Sequence, residues 1–302
     1  MNSDKPILTL MDEFLANQDI RENSRKKYRD NLHVFIGWMT RNADVRNVQK
    51  SNIIDYKTWL INSKKAPSTV DNYLAPVRQF FAYLAENDIC KNVTIGVKSP
   101  KRFQGYSKEY LRPADVVRLL GSVNRATDKG LRDYAIINLM ARTGMRCIEV
   151  ARANVRDLRL EDDRWIFYIQ GKGRWAKDRA LGVTPKIVGP IAEYIGSHGL
   201  LEDSPMFLNH AHVSHHSRIT TVTISKVVKK YLRSIEIDTV KISAHSLRHT
   251  AAITALKSGA DILSVQSMLG HSKIETTMIY QRAIEAERGR DGTAIRLMDD
   301  AF

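Results

Sequence analysis

His245-Ser246-Leu247-Arg248-His249, then Leu269-Gly270-His271-Ser272, then Thr276-Thr277-Met278-Ile279-Tyr280 form the stretch on which the reading of this chain turns. Well upstream of it stands Thr143-Gly144-Met145-Arg146. In order along the chain, Arg146, His245, Arg248, His271 and Tyr280 make up a set suited to a phosphodiester. The planar fork of an arginine matches phosphate oxygens, a histidine moves or shares protons near neutral pH, and a tyrosine hydroxyl can attack phosphorus to leave a covalent ester.

Around this stretch the apolar spacing predicts helices over 246–257, with Gly259 as the stop, over 262–269, and over 274–284, which carries Tyr280. Ser272-Lys273-Ile274-Glu275 reads as a capping box for the last of these. Upstream, Pro113 is placed to open a helix through Leu120, and a second helix over 131–142 meets its stop at Gly144. Trp165 to Gln170 is rich in aromatic and β-branched residues. Gly171-Lys172-Gly173 then turns the chain toward a strand over 179–183, so a small hairpin is expected with Lys172 at its turn. Further helices are expected over 186–197 and 225–235.

The first hundred residues read as about four helices. Tyr28, Leu32, Phe35 and Met39 share one stripe, and Tyr73, Val77, Phe80, Phe81 and Leu84 share another. Glu22-Asn23-Ser24 and Ala66-Pro67-Ser68 look like helix starts, and the polar run from Asn62 to Lys65 is the turn before the second. The period lapses between Lys98 and Lys108, where Pro100, Gly105 and several basic residues suggest an exposed strap suited to lying along phosphates. The expected fold is mainly α with a small β-sheet. It comprises an N-terminal helical domain over 1–97, a linker over 98–108, and an α+β domain over 109–302 that ends in a tail helix.

With 302 residues, 43% of them hydrophobic, the chain can supply a core for each of two lobes. A net charge of +14 points to a polyanionic partner, DNA or RNA rather than a membrane. No apolar run approaches the eighteen or so residues of a membrane helix. The N-terminus lacks the layout of a secretory signal, so a cytoplasmic, nucleoid-associated protein is expected. Cys90 and Cys147 stand alone, which argues against a disulfide framework or a cysteine zinc site, and both are expected to be buried thiols.

Cleaving a phosphodiester without water as nucleophile requires an attacking group, charge on the non-bridging oxygens and a proton for the departing oxygen. Tyr280 is the candidate nucleophile. Arg146 and Arg248 would clamp the oxygens, at about 3 kcal/mol of barrier lowering per key donor. His245 and His271 could accept the tyrosine proton or bond the phosphate, and Lys172 could protonate the leaving 5′ oxygen. Taken singly, each residue has an ordinary structural reading, and their joint occurrence in order gives the set its weight.

In this order the residues closely resemble the tyrosine recombinases, also called the phage-integrase family, of Xer-like or compact integrase type. The family pattern is an arginine after a Thr-Gly turn, a hairpin lysine, His-x-x-Arg, a later His or Trp, and a tyrosine about nine residues on. Arg146, Lys172, His245, Arg248, His271 and Tyr280 match it one by one. Ser68-Thr69-Val70 leading into Phe80-Phe81-Ala82-Tyr83-Leu84 resembles the family's core-binding domain, so the likeness spans essentially the whole chain. It implies cleavage through a 3′-phosphotyrosyl bond with a free 5′ hydroxyl, and strand exchange between two double-stranded recombination sites with no metal and no nucleotide cofactor. It further implies two domains closing as a C-shaped clamp on duplex DNA, and a homotetramer whose tails, with Ile295, Met298 and Phe302 at helical spacing, dock in trans. No extra domain is expected before residue 7 or so, and no separate arm-type DNA reader.

Glu149 falls where the family often has an acidic residue behind the first arginine, with a helix-surface role equally open. The chain departs from the family at the hairpin, where Lys172 and Arg179 are seven apart instead of five, with Trp175 and Ala176 as the extra pair. That leaves Lys177 as a rival general acid. His210, His212, His215 and His216 crowd one segment, read as an exposed loop rather than a zinc site. Lys226, Lys229, Lys230 and Arg233 form a basic stripe suited to phosphates. Rival functions are a non-catalytic DNA-binding architectural protein and a type IB topoisomerase. The target DNA sequence is not legible, because base readout depends on side-chain poses in the grooves.

Overall fold

A computed structural model describes residues 5–42, 47–101, 109–210, 217–237, 239, 241–290 and 292–301. The chain divides into two units, Met1–Gln104 and Gly105–Phe302. The first is built from four helices, α1 (Ile7–Ala16), α2 (Glu22–Asn42), α3 (Lys50–Asn62) and α4 (Pro67–Glu86). Their starts follow the sequence signals: α2 opens on Glu22, and α4 has Pro67 in its first turn, where a missing N–H costs nothing. Leu32, Phe35 and Met39 of α2 and Val77, Phe80, Phe81 and Leu84 of α4 are buried against Phe14 and Tyr56, whereas Tyr28 and Tyr73 sit half-buried at the margin. Edge-on ring contacts such as Phe35 to Tyr56, with centroids 5.0 Å apart, fill this core.

The second unit begins with α5 (Pro113–Gly121), α6 (Asp128–Thr143) and the short α7 (Cys147–Ala151). Three strands follow, β1 (Leu158–Glu161), β2 (Arg164–Ile169) and β3 (Arg179–Val183). The remainder is helical: α8 (Pro185–His198), α9 (Thr221–Ser234), α10 (Ala244–Lys257), α11 (Ile262–Leu269), α12 (Glu275–Arg290) and α13 (Thr293–Asp299). Helix α6 is buried along most of its length and packs on α8 and α10, which makes it the axis of the unit. The sheet is antiparallel in the order β1-β2-β3, and Phe167 and Ile169 of β2 turn into the core on alternate positions. Because Ile169 pairs with Arg179, residues 170–178 are left as the turn that carries Lys172.

Several expectations need correction. The expected hairpin, β2–β3, is joined by a third strand on the other side of β2; β1 reads Leu-Arg-Leu-Glu, an apolar–charged alternation only four residues long and mostly exposed. Helix α7 is too short to show a period. No capping box joins Ser272 and Glu275 among the described hydrogen bonds; instead the Ile274 carbonyl accepts from Thr277 N at 2.7 Å and Met278 N at 2.9 Å. Both cysteines are half-buried rather than buried, and partial burial pushes both thiols up.

Three histidines of the crowded segment, His212, His215 and His216, lie outside the described residues, as does 102–108 of the expected strap. His210 is described, and its Nε2 lies 3.2 Å from Tyr194 Oη. On α9, Lys226, Lys230 and Arg233 are exposed, whereas Lys229 is half-buried and donates to the Thr239 carbonyl at 2.7 Å. Ile295, Leu297 and Met298 of α13 are exposed. Among the described residues no helix is long and apolar enough to cross a membrane, and no three His, Cys, Asp or Glu side chains group as metal ligands.

Candidate active site

Gly144 ends α6 in the left-handed region, with φ 66°, and a Cβ built there would lie 2.6 Å from Leu269 Cδ2. Only glycine fits both the backbone and the space. This tight exit delivers Arg146 to the start of α7, where Glu149 on the first turn accepts from Arg146 N at 2.8 Å and from the Arg146 guanidinium at 2.9 Å. Glu149 is buried, contrary to the helix-surface alternative, and also pairs with Arg179 at 3.1 Å, close but not aligned as a hydrogen bond. One carboxylate therefore holds two guanidinium groups.

Arg248 extends from α10 into the interior with its side chain almost fully enclosed. It donates to the Gly144 carbonyl at 2.7 Å and to the Leu269 carbonyl at 2.8 Å, tying the ends of α6 and α11 to α10. Burial first, and then the charge of Arg146, pulls its pKa down to about 10. It remains a cation at neutral pH.

Gly270 repeats the device at the end of α11, with φ 66° and the Arg179 guanidinium where a Cβ would stand. His271 follows, and its Nδ1 lies 2.8 Å from the buried Thr277 hydroxyl. Burial, and then the arginines Arg248, Arg146 and Arg179, depress this imidazole to about 4, so it is neutral at physiological pH. It then works as a hydrogen-bonding group rather than a cation.

Arg146, Glu149, Lys172, Arg179, His271 and Ser272 line one cleft of about 530 Å³. Lys172 reaches it from the β2–β3 turn, whereas Lys177 is paired with the buried carboxylate of Asp157. Tyr280 is 2% exposed and not among the residues that line the cleft, with its ring stacked on that of His271 at 6.3 Å and 10°. Burial raises its pKa, while Arg248 and Arg146 pull it down. Its hydroxyl is 3.0 Å from Nδ1 of His249. His245, at the start of α10, is exposed, and its ring meets that of His249 edge-on at 4.7 Å.

His249, Arg179 and Thr277 had no assigned role in the sequence reading. His249 could have been found, because positions four apart on a helix share a face and His245 and His249 are so spaced. Arg179 gains its place through β-sheet register, which no local pattern carries.

Residues 109–287 match the phage integrase family, and residues 7–91 match the phage integrase N-terminal SAM-like domain. The chain belongs to the phage integrase family, the tyrosine recombinases. It is 30% identical over 281 residues to the tyrosine recombinase XerD of Listeria monocytogenes, covering 90% of this chain and 93% of that one. With the XerD of Yersinia pestis it shares 29% over 286 residues, 92% of each chain. The crystal structure of the XerH site-specific recombinase bound to palindromic difH substrate, a post-cleavage complex, matches with a TM-score of 0.73 at 21% identity, over 87% of this chain and 79% of that one. That likeness is one of fold.

Proposed function

We propose that this tyrosine-type site-specific recombinase cuts a DNA strand by attack of Tyr280 Oη on a backbone phosphorus, leaving a 3′-phosphotyrosyl ester and a 5′ hydroxyl. Arg146 and Arg248 take the non-bridging oxygens, His245 and His271 bond the phosphate, and Lys172 protonates the departing 5′ oxygen. The released hydroxyl of a partner duplex then attacks the ester, so rejoining needs no nucleotide. The observation that carries this reading is the gathering of Arg146, Lys172 and His271 around one cleft, with the Tyr280 ring 6.3 Å from that of His271 and nearly parallel to it. Because Lys177 is occupied by Asp157, Lys172 is the better general acid.

On this reading two recombination sites are held by a tetramer, with the exposed apolar residues of α13 docking on a neighbouring subunit, and the protein works at the nucleoid in the cytoplasm. A nicked suicide duplex tests the core of the proposal. The native chain forms a covalent adduct in EDTA, and Tyr280→Phe binds the same duplex but forms none. An adduct from Tyr280→Phe would remove the nucleophile assignment. Relaxation of plasmids lacking any recombination site would favour a type IB topoisomerase, and no adduct from any duplex would favour a pure binder.

A further inference from the structure

We propose that His249 accepts the phenolic proton of Tyr280 as the tyrosine attacks phosphorus, an inference that rests on Tyr280 being the nucleophile. Tyr280 and His249 are each 2% exposed, so bulk water cannot serve as the base at the position the hydroxyl occupies. The 3.0 Å contact to Nδ1 is within hydrogen-bond reach, and in the tautomer protonated at Nε2 that nitrogen receives the hydroxyl hydrogen.

The other two histidines are less well placed. His271 has Nδ1 engaged with Thr277, and its ring centroid lies 6.3 Å from that of Tyr280. His245 stands one helical turn before His249 and meets it edge-on, exposed on its far side.

The step balances. The Oη–P bond forms as the P–O5′ bond breaks, the phenolic proton moves to His249, and the 5′ oxygen takes a proton from Lys172. Rejoining reverses both transfers. A phenol that burial keeps protonated needs a base at the moment of attack, which is what this contact supplies.

The test measures single-turnover adduct formation on two suicide duplexes, one with the natural phosphate and one with a 5′-bridging phosphorothiolate, whose thiolate leaves without an acid. His249→Phe and His249→Asn are expected to bind DNA normally and to lose about 10²-fold in rate on both substrates, since Asn restores a hydrogen bond but no base. Lys172→Ala loses rate only on the phosphate. Full recovery by His249→Asn would reduce the residue to orientation, and recovery of His249→Phe on the phosphorothiolate would move it to the leaving-group side; either overturns the proposal. An unchanged rate in both variants beside an inactive Tyr280→Phe sinks this inference alone, whereas an active Tyr280→Phe sinks the reading beneath it. Should His249→Phe fail to fold, ¹⁵N-histidine spectra of the native chain and Tyr280→Phe decide the contact. The Nδ1 resonance of His249 shifts if the bond exists, and an unchanged resonance refutes it.

Discussion

Glu149 shows how one side chain sets the chemistry of several others. Its carboxylate, enclosed in the interior, binds Arg146 through backbone and guanidinium and pairs with Arg179. Glu149→Gln removes the charge that orients both. Since a hydrogen bond to a charged group contributes about 1.5–3 kcal/mol, adduct formation is expected to fall about tenfold or more, with DNA affinity little changed in a filter-binding titration. His271 makes a second prediction. Its folded pKa, about 4, lies below the 6.5 of a free imidazole, so the unfolded chain binds more protons between those values and stability falls as pH drops through that window. Urea unfolding at pH 7 and pH 5 is expected to show a smaller loss for His271→Asn than for the native chain. An equal loss in both would contradict the depressed imidazole.

At the level of elements, the two left-handed glycines are the joints of the site. Gly144→Ala places a methyl group into Leu269 and strains the backbone, and Gly270→Ala does the same against Arg179. Each is expected to cost about 1–3 kcal/mol, measured as a fall in midpoint on thermal unfolding. The helices that these glycines end were legible from apolar period and stop signals, because a long amphipathic segment repeats its message over several turns. Strand β1 was not, since the alternation of Leu158, Arg159, Leu160 and Glu161 runs for only four residues and three of them face solvent. The candidate site divides in the same way. Arg146, His245, Arg248, His271 and Tyr280 stand out by order and spacing, and Glu149 by its place after Arg146. Preferring Lys172 over Lys177 as the proposed general acid needs the fold, where Asp157, twenty residues away, holds Lys177. The link between Tyr280 and His249 joins two helices and exists only in the folded chain.

For the whole molecule, a net charge of +14 favours an interaction with DNA led by phosphate contacts. Binding is expected to weaken about 10³–10⁵-fold between 50 and 200 mM salt for 6–10 phosphate contacts, and a flat salt response would contradict a phosphate-led interface. Removal of residues 293–302 takes away the exposed apolar face of α13. Gel-shift titrations are expected to retain occupancy of a single half-site and to lose cooperative filling of the second; unchanged cooperativity would exclude docking in trans.

Arg248 spends two donors on the carbonyls of Gly144 and Leu269, so the group proposed to hold phosphate is also a rivet through three segments of the domain. Shortening it leaves two inward-facing oxygens without a proton to share. A descendant of this chain that abandoned strand cutting but kept its grip on DNA could discard the phenol of residue 280 far more cheaply than this guanidinium. Among such silent relatives, the arginine should outlast the tyrosine.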